Sequence, residues 1–328
     1  MAKVTVLIAV YNAAPFLSEC LDSLRGQSHA DWQAICIDDC STDSSWDVLR
    51  QYASADSRFS IIHLDSNHGQ AYARNQGLAE AKGDFVCFLD ADDWLSPNAL
   101  AEALAVAEAH PLTDCVLFDV NYVYADHEEL YTMPAFEQLT GSEAFRLSLD
   151  WQIHGVYMVR TAIHQRFPYD DTCKAYSDDN TTRLHYFASR QVRRCQGVYN
   201  YRQHAGSVTH AVSVRRFDFL KANESMKRQL IGMDADSDVM RLWETKRLLT
   251  LVDLYMFYHL NGHRLPPADA AYGLSEIRRV WHTLDRSLLD PALASKFGYR
   301  PMPAWVLFRL QEWLYFTLRG WMGKNRRE

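Results

Sequence analysis

Two clusters of carboxylates stand at the ends of apolar runs. "AICIDDCSTD" closes on Asp38, Asp39 and Asp43, and "FVCFLDADDW" (85 to 94) carries Asp90, Asp92 and Asp93. An ionised carboxylate beside a buried strand must be solvated, paired or given a cation. Gathered oxygen donors suit a hard divalent cation, or the N–H and O–H groups of a nucleoside. One Asp is explained as a turn former or helix cap, but two such clusters are not. Further along, "SNHGQAYARNQGL" puts Arg74 and Asn75 on a helix opening at Gly69, where a guanidinium and a helix N-terminus both favour phosphate. "AYSDDNTTRLHYF" offers Asp178 and Asp179 at another helix start, and "YNYRQHAGSVTH" offers Arg202 and His204.

These groups need a frame, and the first hundred residues supply one. Strand patterns at 3–10, 32–39, 59–64 and 83–90 alternate with helical patterns after Pro15, at 44–53, at 69–81 and after Pro97. Such alternation predicts an α/β fold with a mostly parallel sheet flanked by helices. Ligands bind beyond the carboxyl ends of strands in such sheets. "YN", "DDCSTD" and "DADD" are therefore expected to converge on one crevice. Residues 114–126 alternate as an antiparallel strand would, 127–141 read as an exposed loop, and helices are expected at "GSEAFRLSL" and "SDDNTTRLHYFAS". "VRRCQGVYNYRQHAGSVTH" reads as strands running into a polar loop. From about Ser213 the pattern is helical and amphipathic.

The expected organisation is one α/β domain over 1–212, with a nucleotide-binding half (1–110) and an acceptor half (111–212), followed by a helical region over 213–328. A net charge of −7 argues against nucleic-acid binding by bulk electrostatics. Seven scattered cysteines without a C-x-x-C pair suit reduced, buried thiols. The apolar start "VTVLIAV" reads as a first strand and not a leader, and no stretch offers about 18 uncharged apolar residues for a transmembrane helix.

With the frame in place, "VTVLIAVYNAAPFLSECLDSLRGQS", "AICIDDCSTDSSWDVL" and "NHGQAYARNQGLAEAKGDFVCFLDADDWLSPNAL" together resemble the nucleotide-sugar half of the inverting family 2 glycosyltransferases, which have the GT-A fold. Order, spacing and residue types agree over about the first 110 residues. The resemblance implies that Ala9, Val10, Tyr11 and Asn12 cradle the nucleobase, with Tyr11 stacking on it. Asp39 would accept from a uracil N–H, and Arg74 would approach the base or the diphosphate. Asp90 and Asp92 match the family's D-x-D pair: Asp90 near the ribose or a metal-bound water, Asp92 as direct ligand to Mn²⁺ or Mg²⁺. Asp93 would support them or cap the following turn. Arg202 and His204 would meet the diphosphate, with His204 completing the metal shell. Asp179 matches the general base and Asp178 its partner, and a shift of one residue exchanges the two. Cys40 stands where the family usually has Gly.

The implied activity is transfer of a sugar from a nucleotide donor, UDP-linked above all, to a hydroxyl of a bacterial surface glycan such as lipopolysaccharide core, O-antigen or capsule. Two other uses of the acidic crevice stay open: a nucleotidyl- or phosphoryl-transfer enzyme, and a non-catalytic nucleotide-sugar-binding subunit. A dehydrogenase is not expected, since "YNAAP" replaces the Gly-rich turn after the first strand. The expected location is cytoplasmic, with contact at the inner face of the membrane left open. At the C-terminus, "MPAWVLFRLQEWLYFTLRGWMGKNRRE" reads as a helix. Trp305, Leu310, Trp313, Leu314 and Trp321 are apolar, Arg309, Glu312 and Arg319 form a polar side, and Lys324, Arg326 and Arg327 a basic tail. Such a helix suits a membrane interface or packing against protein equally.

Overall fold

The computed structural model describes residues 3–171, 177–203 and 212–325, with backbone only for Ser177 and Asp178. The chain divides into two compact units, Met1–Ser207 and Val208–Glu328.

The first unit is built on one twisted sheet of ten strands, ordered β3-β2-β1-β4-β9-β6-β10-β5 along its path. Its strands β1 (Val4–Val10), β2 (Trp32–Asp38), β3 (Phe59–His63) and β4 (Phe85–Phe88) pair in parallel. Their near-continuous Val, Ile and Leu content is what burial on both faces demands. Helices α1 (Ala14–Arg25), α2 (Ser45–Ala55) and α3 (Gln70–Ala79) make the crossovers. α1 buries Leu17, Cys20, Leu21 and Leu24, the spacing of one helical face.

Beyond β4 the sheet is mixed. β9 (Tyr157–Arg160) runs antiparallel to both β4 and β6 (Thr113–Val123), and β10 (Gln191–Arg202) returns parallel to β6. The 114–126 stretch is therefore antiparallel to one neighbour and parallel to the other. β5 (Trp94–Leu95) pairs antiparallel with β10 just past the second acidic cluster. Residues 127–141 are not wholly loop. β7 (Glu128–Leu130) adds to β6 and β8 (Leu139–Thr140) to β10, both too short to leave a periodic trace. α4 (Ala99–Ala109), α5 (Gly141–Leu149), α6 (Thr161–Arg166) and α7 (Ser177–Ala188) cover this half.

The second unit is helical: α8 (Asp218–Gly232), α9 (Ser237–Asn261), α10 (Pro267–Thr283), the short α11 (Pro291–Ser295) and α12 (Trp305–Trp321). Phe217, Leu248, Leu251, Trp281 and Phe308 centre its core. Within it Arg247 is fully buried and donates to both oxygens of Glu244 at 2.7 Å, to Thr283 Oγ1 at 2.7 Å and to Glu224. A buried charge is tolerated only with partners of this kind. No described helix is long and apolar enough to cross a membrane.

Candidate active site

The loops after β1 and β2 hold each other through short polar side chains. Asn12 leaves β1 at φ +51°, a left-handed conformation Asn tolerates. Its Oδ1 accepts from Thr42 N at 2.8 Å, Thr42 Oγ1 at 3.2 Å and Asp43 N at 3.3 Å. In return Asn12 N donates to Ser41 Oγ at 3.0 Å and Ala14 N to Asp43 Oδ2 at 3.1 Å. Burial pushes the Asp43 carboxyl up, but bonds from Ser45 and Ala14 outweigh it and hold the group below the usual range.

Asp39 is buried, and its oxygens accept from the amides of His68 at 2.8 Å and Gly69 at 2.7 Å. Gly69, at φ +94°, makes the turn into α3 that only Gly adopts without strain. The carboxylate expected to meet a nucleobase thus already fastens this turn. Cys40 also sits in the left-handed region, at φ +62°, where a Gly would be unstrained. Tyr11 is half exposed, Asn12 is exposed and Ala9 partly buried at the carboxyl end of β1.

The second acidic cluster is tied to elements far away in sequence. Asp90 Oδ1 accepts from Gln70 Nε2 at 2.8 Å and from the Arg74 guanidinium. Arg74 is buried and lies 4.3 Å over the Phe88 ring and 5.3 Å from that of Tyr169. Asp93 is buried, accepting from Tyr199 Oη at 2.7 Å and from Arg202 N at 2.8 Å. Burial, reinforced by the charges of Asp90 and Asp92, pushes its carboxyl up to about 8. Arg202 Nε donates to the Asp92 carbonyl at 2.9 Å, its guanidinium pairs with Glu19, and it lies 4.6 Å over the Trp94 ring. Asp93 is therefore more than a turn residue: it fastens the acidic loop to β10.

A cavity of about 560 Å³ opens beside this loop, in the size range of small-molecule sites. Arg74 and Asp90 line it together with Asp179, and Tyr122, Trp151 and Tyr201 are among its aromatic groups. Helix α7, which carries Asp179, is anchored by buried contacts. His185 Nε2 lies 2.8 Å from the Phe167 carbonyl and so must carry hydrogen, which leaves Nδ1 to accept from Tyr157 Oη at 2.7 Å. Burial pushes the His185 imidazole down to about 4, so it is neutral at ordinary pH. Tyr186 Oη donates to the His154 carbonyl. His154 is buried, pushed down to about 4 by that burial, and also lines the cavity.

The structure thus brings Arg74, Asp90 and Asp179 to one cavity, and joins Asp92 and Arg202 through a backbone bond. The Asp178 side chain and His204 lie outside the described residues. Gln70, Tyr199 and Glu19 were not singled out in the sequence. Gln70 was findable, since it stands one helical turn before Arg74; Tyr199 was not, being 106 residues from Asp93.

The acidic loop suits a divalent cation by its chemistry. Its carboxylates repel strongly enough to help raise Asp93, and a cation would relieve that repulsion. Asp90 and Asp92 are the residues that could hold it. Mg²⁺-type sites use one or two carboxylates plus substrate phosphates.

Residues 5–167 match the family model "Glycosyl transferase family 2". Among curated proteins, poly(ribitol-phosphate) beta-glucosyltransferase of Bacillus spizizenii is 42% identical over 101 residues, covering 30% of this chain and 16% of the relative. The O-antigen biosynthesis protein RfbC of Myxococcus xanthus is 40% identical over 129 residues, 39% of this chain and 10% of the relative. EpsJ of Bacillus subtilis, an uncharacterized glycosyltransferase, is 28% identical over 220 residues, 63% of this chain and 62% of the relative. In each, the aligned part is under two thirds of the relative's length. Among solved structures, S. aureus TarS 1-349 in complex with UDP-GlcNAc superposes with a TM-score of 0.77 at 17% identity. That match covers 98% of this chain and 92% of the other, and shows a shared fold. Residues 5–167 thus form a family 2 glycosyltransferase domain, with the GT-A fold.

Proposed function

We propose that the protein is an inverting transferase that moves a hexose or N-acetylhexosamine from a nucleotide sugar, a UDP-sugar first, to a hydroxyl of a bacterial surface glycan. Lipopolysaccharide core, O-antigen and capsule are the acceptor classes. The observation that carries this reading is Asp179 lining the same cavity as Asp90 and Arg74. A carboxylate there takes the proton of the acceptor hydroxyl as its oxygen attacks the anomeric carbon. Arg74 and Arg202 supply positive charge for the diphosphate, and Tyr11 an open ring for the base. A Mn²⁺ or Mg²⁺ ion held by Asp90 and Asp92 would offset charge developing on the departing diphosphate. The relatives' names, O-antigen biosynthesis and poly(ribitol-phosphate) glucosylation, support a cell-surface polymer as product. The UDP-GlcNAc complex of TarS supports a UDP-sugar donor. We place the work in the cytoplasm, at the inner membrane face where lipid-carried glycans are presented.

The test is a hydrolysis and transfer screen over UDP- and dTDP-sugars, with Mn²⁺ or with a chelator, on the protein and on Asp179→Asn. Turnover should need the cation, and the variant should lose roughly 10²–10⁴-fold in transfer while binding donor unchanged. Turnover indifferent to chelation sinks the metal assignment. Full activity in Asp179→Asn removes the base.

A further inference from the structure

Helix α12 turns its apolar side outward. The sequence places Arg309, Glu312 and Arg319 on one polar side. In the structure Glu312 is fully buried beside Gln311, whose Nε2 donates to it at 3.0 Å and to the Arg300 carbonyl at 3.0 Å. Arg319 folds onto Tyr315 Oη at 3.2 Å and the Lys324 carbonyl at 2.6 Å. Burial pushes the Glu312 carboxyl up to about 8, so the one acid on the helix is neutral at pH 7 as well as hidden. The apolar side chains take the outside: Val306 is 73% exposed, Leu310 59%, Trp313 53% and Trp321 81%, with Leu314 and Leu318 between them. At 100° per residue these six share a stripe about 140° wide. Arg309 and Lys324 are exposed on the same segment.

The charge of the chain divides at this segment. Residues 296–328 hold seven Lys or Arg against two Glu, so the net −7 splits into +5 here and −12 in the residues before. An apolar partner alone would not explain that. An apolar stripe with two exposed tryptophans and surrounding cations, on an otherwise acidic protein, complements an anionic bilayer surface: rings and Leu side chains enter the headgroup boundary and Lys and Arg meet lipid phosphate. We propose that the outer face of α12, with Arg309 and Lys324 beside it, docks the protein on membranes containing anionic phospholipid. The inference rests on the proposed work at a membrane for its purpose, but its test measures lipid binding and not catalysis.

The full chain is sedimented with vesicles of phosphatidylcholine alone and with about one third phosphatidylglycerol. Binding should be at least tenfold tighter to the anionic vesicles and should weaken with salt, as expected where cations near the surface meet anionic lipid. Leu310→Asp with Trp313→Asp, both outward-facing, should lower it more than tenfold while leaving the melting temperature and donor hydrolysis as they were. A second variant, Lys324→Glu with Arg309→Glu, should lose the preference for anionic lipid. Equal binding by all three proteins overturns the proposal. So does a soluble dimer that Leu310→Asp with Trp313→Asp dissociates, because a second copy then covers the face.

Discussion

The two groups of elements that meet at the acidic loop are held by opposite means. The loops after β1, β2 and β3 are fastened by short side chains bonded to backbone amides: Asn12 to Thr42 and Asp43, Asp39 to His68 and Gly69. The elements around Asp179 are held by large buried side chains, His185 with Tyr157 and the Phe167 carbonyl, and by close approach of backbone. A β-carbon on Gly141, the first residue of α5, would lie 2.4–2.7 Å from the carbonyl oxygens of Tyr186, Phe187 and Ser189 at the end of α7. The first group is therefore broken by removing a side chain, and the second by adding one.

The largest effect on this contrast should come from Gly141→Ala. Backbone carbonyls cannot swing aside, so one methyl should cost about 3 kcal/mol and displace α7 with Asp179. Urea unfolding checks the stability, and transfer should fall more than donor binding. Asp93→Ala should cost about 2 kcal/mol, because the buried Tyr199 hydroxyl and the Arg202 amide lose their acceptor. Here donor binding should weaken as well, since the acidic loop is released from β10. Smallest is Cys40→Gly, which should stabilise by up to about 1 kcal/mol by relieving the left-handed Cys, partly offset by the freer unfolded chain. A destabilised Cys40→Gly would mean that the Cys40 thiol, 3.6 Å from the Asp65 carbonyl, matters more than the strain.

The same contrast decides what could be read from the sequence. Strands β1 to β4 and their crossover helices were legible because apolar runs, helical period and turn chemistry are all local. Asp90, Asp92 and Arg74 stood out for the same reason. β9 was missed because four residues, "YMVR", leave no period to recognise, although the alternation at 114–126 already pointed to an antiparallel strand in the sheet. Asp93 was left between supporting the acidic pair and capping a turn because both its partners lie on β10, over a hundred residues away. The orientation of α12 stayed open for a related reason: amphipathic pattern names two faces without saying which one packs, and the bond of Gln311 to the Arg300 carbonyl reaches outside the helix.

The bonds of Asn12 and Asp39 bear on the thermodynamics of donor binding. Loops that are tied to one another within the folded chain have already lost their conformational freedom, so a donor arriving there has little left to order. The entropic penalty of recognition then falls mainly on the ligand. Within a donor series, affinity differences should track the atoms exchanged in the nucleotide and sugar, and not the length or composition of these loops.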